Sequence, residues 1–441
     1  MVDRRGVLVI GAGAAGIAAA RELAAAKVPV TVLEAQDRIG GRVRTVRDNF
    51  LNLPIELGAE FIHGKHPLLF SILESLAIPF INVSGRHWYV EDGVLSHSND
   101  FWNKLTALFD LMSANTPDQS FSSFLNSLPD DPETTRAKAI ATRYVQGFHA
   151  ADINLIGVHG LIKANEKEDE IHGEHSFRPL QGYESLLQRL ADDAKQRGAI
   201  FQLNSAVTKI SWKANDVEVT ASGPEHERIA NARCALITLP LGVMQQRTGL
   251  SFSPALPKEK LEAINNIPMG DVIRVVLVFR ERFWEALDLP ATAAKEDLSQ
   301  LGFVHAPDAA IPTWWTQSPL HAPVLVGWAG GPRSSSFVGM PEKKLISLAL
   351  GSLQQIFGVS ETILRKQLRE FYTHDWTSDR FSRGAYAYLP VDGLAMQQEL
   401  AGPLQNTLFF AGEATSIGHI GTVHGALESG ERAAGEILST L

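Results

Sequence analysis

The chain has a single cysteine, Cys234, in 441 residues. That excludes an internal disulfide and any metal site built on paired thiols. A chain this long without disulfides fits a reducing compartment, so a cytoplasmic protein is expected. No uninterrupted apolar run approaches the roughly 20 residues of a membrane span, and no membrane partner is expected. No basic block occurs, and the formal net charge is −9, which argues against nucleic acid as a partner and mildly favours a cationic ligand. The 14 histidines are scattered, suggest no catalytic triad, and give no reason to expect a metal. Repeats and low-complexity segments are also missing; 286–299 is the most linker-like stretch. Apolar residues at 45% and charged residues at 20% are ordinary for a globular protein.

What is present begins at Val7. Residues Val7–Gly16 read VLVIGAGAAG, and the run VTVLE ends at Glu34. Four apolar residues suit a buried parallel strand. Gly11 permits a tight turn, Gly13 lets backbone approach a pyrophosphate, and Gly16 lets the next helix pack close to the strand. Ala14 and Ala15 precede the alanine-rich helical stretch from Ile17 to Lys27, whose N-terminal N–H groups and dipole favour phosphate. Glu34 stands where a carboxylate accepts from a ribose hydroxyl pair, with Ala35 next to it. A 2′-phosphate would be repelled, so NADP is disfavoured. Strand, helix and acid together predict a dinucleotide site.

A second glycine pair, Gly40 and Gly41, lies in DRIGGRVRT between Arg38, Arg42 and Arg44. Flexible backbone flanked by guanidinium groups suits a longer approach to a pyrophosphate and a flavin beyond it. With this motif the chain resembles the flavin-containing amine oxidase family, which includes monoamine oxidases, polyamine oxidases and lysine-specific histone demethylases. The segments ELGAEFIHG from Glu56, TLPLGVM from Thr238, PMGDVIRVVLVFRERFW from Pro268, WTSDRFSRGAYAYLP from Trp376 and LFFAGEATSIGHIGTVHGALESGERAAG from Leu408 extend the resemblance end to end. The closest motifs are those of polyamine oxidases.

The resemblance implies an α/β fold with a discontinuous Rossmann-like FAD-binding domain (1–64, 196–254 and 396–441). It also implies a substrate domain of mixed β-sheet and helices (65–195 and 255–395). It places Gly58, Ala59 and Glu60 beside the cofactor, the Val207 backbone at the adenine, and Gly412 and Glu413 at the ribitol. Thr422 and Val423 should offer amides to the flavin pyrimidine, and Trp376 should pack beside the ring. Tyr386 should wall the amine site at the flavin face, opposite Thr422 rather than a second tyrosine. His63, in FIHG, would orient the substrate nitrogen. Ala385 occupies the place of the flavin-bonding cysteine of monoamine oxidases, so the FAD should be non-covalent. Arg274 replaces the family's active-site lysine, which in relatives holds a water and helps oxygen react; slower reoxidation is expected here.

The implied reaction is oxidation of a C–N bond in a polyamine or another primary or secondary amine. A hydride passes from the α-carbon to flavin N5, the imine hydrolyses, and O2 becomes H2O2. Two alternatives stand beside it: an L-amino-acid oxidase using Arg274 for the carboxylate, and a weakly catalytic flavin-binding scaffold. The acidic run Glu166–Glu174 is either a solvated loop or a site for distal ammonium groups. Which amine is used, and the oligomeric state, are left open.

Overall fold

The structure is a computed structural model that describes residues 6–83, 85–91, 93–97, 100–223, 227–246, 248–287 and 298–441. Residues 288–297 of the linker-like stretch lie outside them, as do the first five residues.

Short apolar runs buried on both faces read as central parallel strands, and four of them form one sheet with the more exposed edge strand Ile200–Gln202. Its order is Ile200–Gln202, Val30–Leu33, Val7–Ile10, Cys234–Ile237 and Leu408–Phe410, all parallel. The strands come from widely separated parts of the chain. Helices Ala14–Ala25, Tyr183–Gln196 and Val423–Leu438 cover one face around a core that includes Ile17, Leu190 and Leu427. The other face packs on a four-stranded sheet and helix Lys258–Asn266.

A seven-stranded sheet forms the second body of the molecule. Its order is Leu368–Thr373, Val272–Phe279, Val324–Gly330, Thr313–Thr316, Leu301–His305, Arg86–Glu91 and Val94–Ser96. Strand 272–279 lies second from one edge and every residue of it is buried. Alternation sends Ile273, Val275, Leu277 and Phe279 into one core and Val276 and Val278 into another, with Arg274 on the latter face. Helices Asp100–Phe109, Phe121–Ser127, Pro132–Phe148 and Val158–Glu170 pack around a core of Phe121, Val145 and Leu161. Among the described residues no helix is long and apolar enough to cross a membrane.

The segment 55–62 is not one continuous strand. Pro54–Glu56 pairs with Thr45–Arg47, Ile62–His63 pairs with Ser176–Phe177, and the backbone between them leaves both ladders. A Cβ on Gly58 would lie 1.8 Å from the Arg42 carbonyl. That crossing is too close for a side chain.

Candidate active site

One cavity of about 1430 Å³ runs between the two large sheets. Typical small-molecule sites span about 300–1,000 Å³, so this one has room for an extended group and a second, smaller one.

Its first part is built from backbone. Gly11, at φ +110, turns the chain away from the strand. Helix Ala14–Ala25 starts against the cavity, with Gly13, Ala14 and Ala15 in the wall. A Cβ on Gly13 would meet nothing within 4 Å, whereas one on Gly16 would sit 2.0 Å from the Gly11 carbonyl oxygen. Gly13 thus leaves open space, and Gly16 works behind the wall by permitting close packing. Glu34 is buried; its carboxylate accepts from Ala12 N–H at 2.7 Å and Gln36 N–H at 2.9 Å. Burial raises its pKa, opposed by those two amides and by Arg38. Ala35 and Val207 line the same end. Gly40 donates to Ala12 O at 2.8 Å, which draws the second glycine pair onto the first, and Gly40 and Gly41 both line the cavity.

The three arginines of that motif do different work from the expected one. Arg38 does not line the cavity. It folds back onto the carbonyls of Ile39, Gly41 and Val43, because a loop this tight exposes acceptors that only a nearby fork can satisfy. Arg44 pairs with His374 Nδ1 at 2.9 Å. Arg42 alone reaches the cavity, donating to Ala385 O at 2.9 Å and Glu413 Oε1 at 2.8 Å.

Glu413 follows strand Leu408–Phe410 and is buried. Besides Arg42, it accepts from Gly421 N–H at 3.0 Å and Ala387 N–H at 3.4 Å. It therefore ties three cavity segments together. Gly412, at φ +138 with open space before it, lines the wall alongside. Thr422 caps helix Val423–Leu438: its hydroxyl accepts from Gly425 N–H at 3.0 Å and donates to His419 O at 2.7 Å. Thr422 and Val423 face the cavity, with the N–H groups of the helix start left for an acceptor. Trp376 is buried, lines the cavity and donates to Leu57 O at 2.8 Å. The Tyr386 ring is in the wall, its hydroxyl fixed on Phe148 O at 2.7 Å.

Gly58, Ala59, Glu60 and Arg274 meet on the opposite wall. Arg274 is 3% exposed. Its guanidinium donates to Gly58 O at 2.7 Å and to Glu60 Oε2, and lies 5.4 Å from the Trp315 ring centroid. The Glu60 carboxylate also takes Arg178 Nε at 2.8 Å and Trp315 Nε1 at 3.2 Å. The Glu60 side chain thus serves its neighbours in the protein, leaving the backbone of 58–60 as the surface offered to the cavity. Burial draws Arg274 down to about 10, against the pull of Glu56; it is still a cation at neutral pH.

Aromatic and imidazole rings, among them Phe61, His63, Phe148 and His149, also line the cavity. His63 lies 5.4 Å from Phe148 and 5.9 Å from Phe61, and burial lowers it to about 4. His149 is lowered to about 4 by burial as well. His305 falls to about 3 and His87 to about 4, by burial first and a neighbouring imidazole second. These imidazoles are neutral at physiological pH. Glu166, Glu168, Asp169 and Glu174 line the same cavity.

Sequence reasoning missed Arg178, Trp315, His87 and His305, which lie far along the chain from the residues they meet. It also missed Thr238, whose hydroxyl donates to Ile10 O at 2.9 Å and braces the Gly11 turn. Continuous wall from Glu34 to Thr422, open space at Gly13 and Gly412, and free N–H groups at two helix starts fit an extended dinucleotide.

A family model described as flavin containing amine oxidoreductase matches residues 14–438. Polyamine oxidase 2 of Arabidopsis thaliana is 29% identical over 468 aligned residues, covering 97% of this chain and 87% of its own. Lysine-specific histone demethylase 1B of Mus musculus is 27% identical over 473, covering 98% of this chain and 53% of its own. Wild-type putrescine oxidase bound to putrescine shares the fold at TM-score 0.80 and 20% identity, with 99% of both chains covered. Cyclohexylamine oxidase from Brevibacterium oxydans IH-35A does so at TM-score 0.80 and 21% identity, again over 99% of both. With the family's pattern running through almost every element that walls the cavity, the chain belongs to the flavin containing amine oxidoreductases and is a flavin-dependent amine oxidase.

Proposed function

We propose that this chain oxidises polyamine-like amines with a non-covalent FAD and O2 as acceptor. Bound FAD supplies the acceptor for the hydride that leaves the amine α-carbon, and O2 finally yields H2O2. The observation that carries the substrate class is the acidic run 166–174. Four of its carboxylates line the cavity, and aromatic rings line it as well. Methylene segments pack against rings, and distal ammonium groups meet carboxylates.

In this reading Gly13, Ala14, Gly41 and Arg42 hold the pyrophosphate, Glu34 and Val207 the adenosine end, and Trp376, Gly421, Thr422 and Val423 the flavin end. Cys234 is buried in the parallel sheet and does not line the cavity, and Ala385 has no atom to bond a flavin. Tyr386 steers the α-carbon. His63, neutral at working pH, orients the nitrogen without repelling an ammonium. The shielded rings favour the uncharged amine that can lose hydride. Arg274 is engaged by Glu60 and Gly58, which argues against its serving a substrate carboxylate as an L-amino-acid oxidase requires. The division into a discontinuous FAD domain (1–64, 196–254, 396–441) and a substrate domain (65–195, 255–395) belongs to the same proposal, as does a cytoplasmic setting.

A second reading, a cyclic or aromatic monoamine, draws on the cavity rings alone. Putrescine, spermidine, cyclohexylamine and benzylamine, each assayed for flavin bleaching and peroxide, separate the two. Higher kcat/KM for spermidine or putrescine supports the proposal; a preference for the ring amines overturns it. An unbleached flavin with every amine leaves the scaffold alternative.

A further inference from the structure

Of fourteen histidines that look scattered in sequence, three meet in space. His66 immediately precedes helix Pro67–Ser75, and His419 lies in the loop before helix Val423–Leu438, which carries His424 and Glu428. The His66 ring is stacked on His424 at 4.8 Å and edge-on to His419 at 4.8 Å, and His419 lies 4.9 Å from His424. Three like rings in contact, all of them buried, are an unusual way to fill a core.

We propose that His66, His419 and Glu428 form a binding site for one divalent transition-metal ion of the Zn²⁺ type. One ligand atom from each lies within 4.8 Å of the others. His66 and His419 are 6% and 7% exposed, and among the described residues His66 Nδ1 and His419 Nε2 are buried without a hydrogen-bond partner. An orphaned ring nitrogen is costly in such a place, and a metal ion satisfies His66 Nδ1; His419 would take the ion through Nδ1, the nitrogen that faces Glu428. The Glu428 side chain is 46% exposed; its carboxylate accepts from Ser416 Oγ at 3.1 Å and stands 3.2 Å from His419 Nδ1. It provides the charge, the entry path and the freedom to close on an ion held at about 2.0–2.1 Å. Two imidazoles and one carboxylate, with a position left for water, suit Zn²⁺ rather than Mg²⁺ or Ca²⁺. His424 and Ser416 are the groups that orient the ligands.

The ion would staple the start of helix Pro67–Ser75 to the loop before helix Val423–Leu438. That loop bears His419, Gly421 and Thr422, which line the cavity. The role is a brace on the cavity wall, and Zn²⁺ takes no part in amine oxidation. The site is independent of the substrate reading.

Chelator-treated, untagged holoprotein dialysed against Zn²⁺ and then metal-free buffer should retain one Zn²⁺ per chain by elemental analysis. Its melting midpoint should rise with Zn²⁺, because binding to the folded state alone stabilises it. Glu428→Gln and His66→Asn should each weaken Zn²⁺ at least about tenfold. The half-exposed Glu428→Gln should melt as wild type does in EDTA. Substoichiometric Zn²⁺ in the wild type, or equal affinity in both variants, overturns the site.

Discussion

The parallel sheet and the seven-stranded sheet face each other across one cavity and build its walls by different means. The parallel sheet presents backbone: Gly11, Gly13, Gly412 and the starts of two helices, with Glu34 and Glu413 as carboxylates. The seven-stranded sheet presents side chains, namely Arg274, Trp315, Trp328, Phe303 and His305. A wall of backbone is intolerant of added atoms. A wall of buried side chains is intolerant of lost partners.

The sharpest test of that contrast is Glu60→Gln. One carboxylate holds two guanidinium groups and an indole N–H at 2% side-chain exposure. Neutralising it leaves two buried cations, and breaking such a pair costs roughly 3–5 kcal/mol. A denaturant melt shows it; a loss well under 1 kcal/mol would break the comparison. Gly16→Val comes next. Its Cβ would lie 2.0 Å from Gly11 O and 2.9 Å from Thr238 Oγ1, so the helix must retreat from the strand. Overpacking of this kind costs roughly 1–3 kcal/mol, and flavin absorbance per chain should fall with it.

The same contrast explains what could be read from the sequence. The parallel sheet's first half is local: VLVIGAGAAG and VTVLE carry strand, turn, helix and acid within the residues from Val7 to Glu34, so spacing alone discloses them. Strand 272–279 was legible too, as an apolar run with one arginine. What Arg274 touches was not. Its partner Glu60 lies 214 positions away, and Trp315 is 255 from Glu60, joined only by ladders such as Arg274↔Trp328. Strands 301–305, 313–316 and 324–330 went unread because their pairing partners, not their own patterns, define them. The grouping of His66, His419 and His424 was hidden by the same separation. Arg38 misled for the opposite reason: its neighbours in sequence suggested a phosphate, while the tight loop needed its own carbonyls satisfied.

Smaller effects sharpen the picture. Thr422→Ala removes a helix N-cap and should cost about 1 kcal/mol, seen in a melt, with flavin retained because the helix N–H groups remain. Arg274→Lys tests the second wall kinetically. Lysine has no planar fork to reach both Gly58 O and Glu60, so its ammonium is free to enter the cavity. Reoxidation by O2 in stopped flow should then speed up several-fold; an unchanged or slower rate counts against the reading of Arg274.

The finest distinction lies in pH. Glu168 lines the cavity, and burial with help from Asp169 raises its carboxyl from the ordinary 4.5 to about 7, opposed by His419. The folded chain thus binds this proton more tightly than the unfolded chain. Stability from this group is full below about 4.5 and is lost as pH rises through about 7. Glu168→Gln should leave the melting midpoint at pH 4 unchanged and raise it at pH 8. The charge that attracts a distal ammonium exists only above about 7, so KM for spermidine should fall as pH crosses that value. Deprotonation of the reacting amine acts in the same direction, and benzylamine, with no distal ammonium, controls for it. A KM step near 7 for spermidine, absent for benzylamine and absent in Glu168→Gln, assigns the step to this carboxylate. The same step in all three assigns it to the amine and detaches the acidic run from substrate binding.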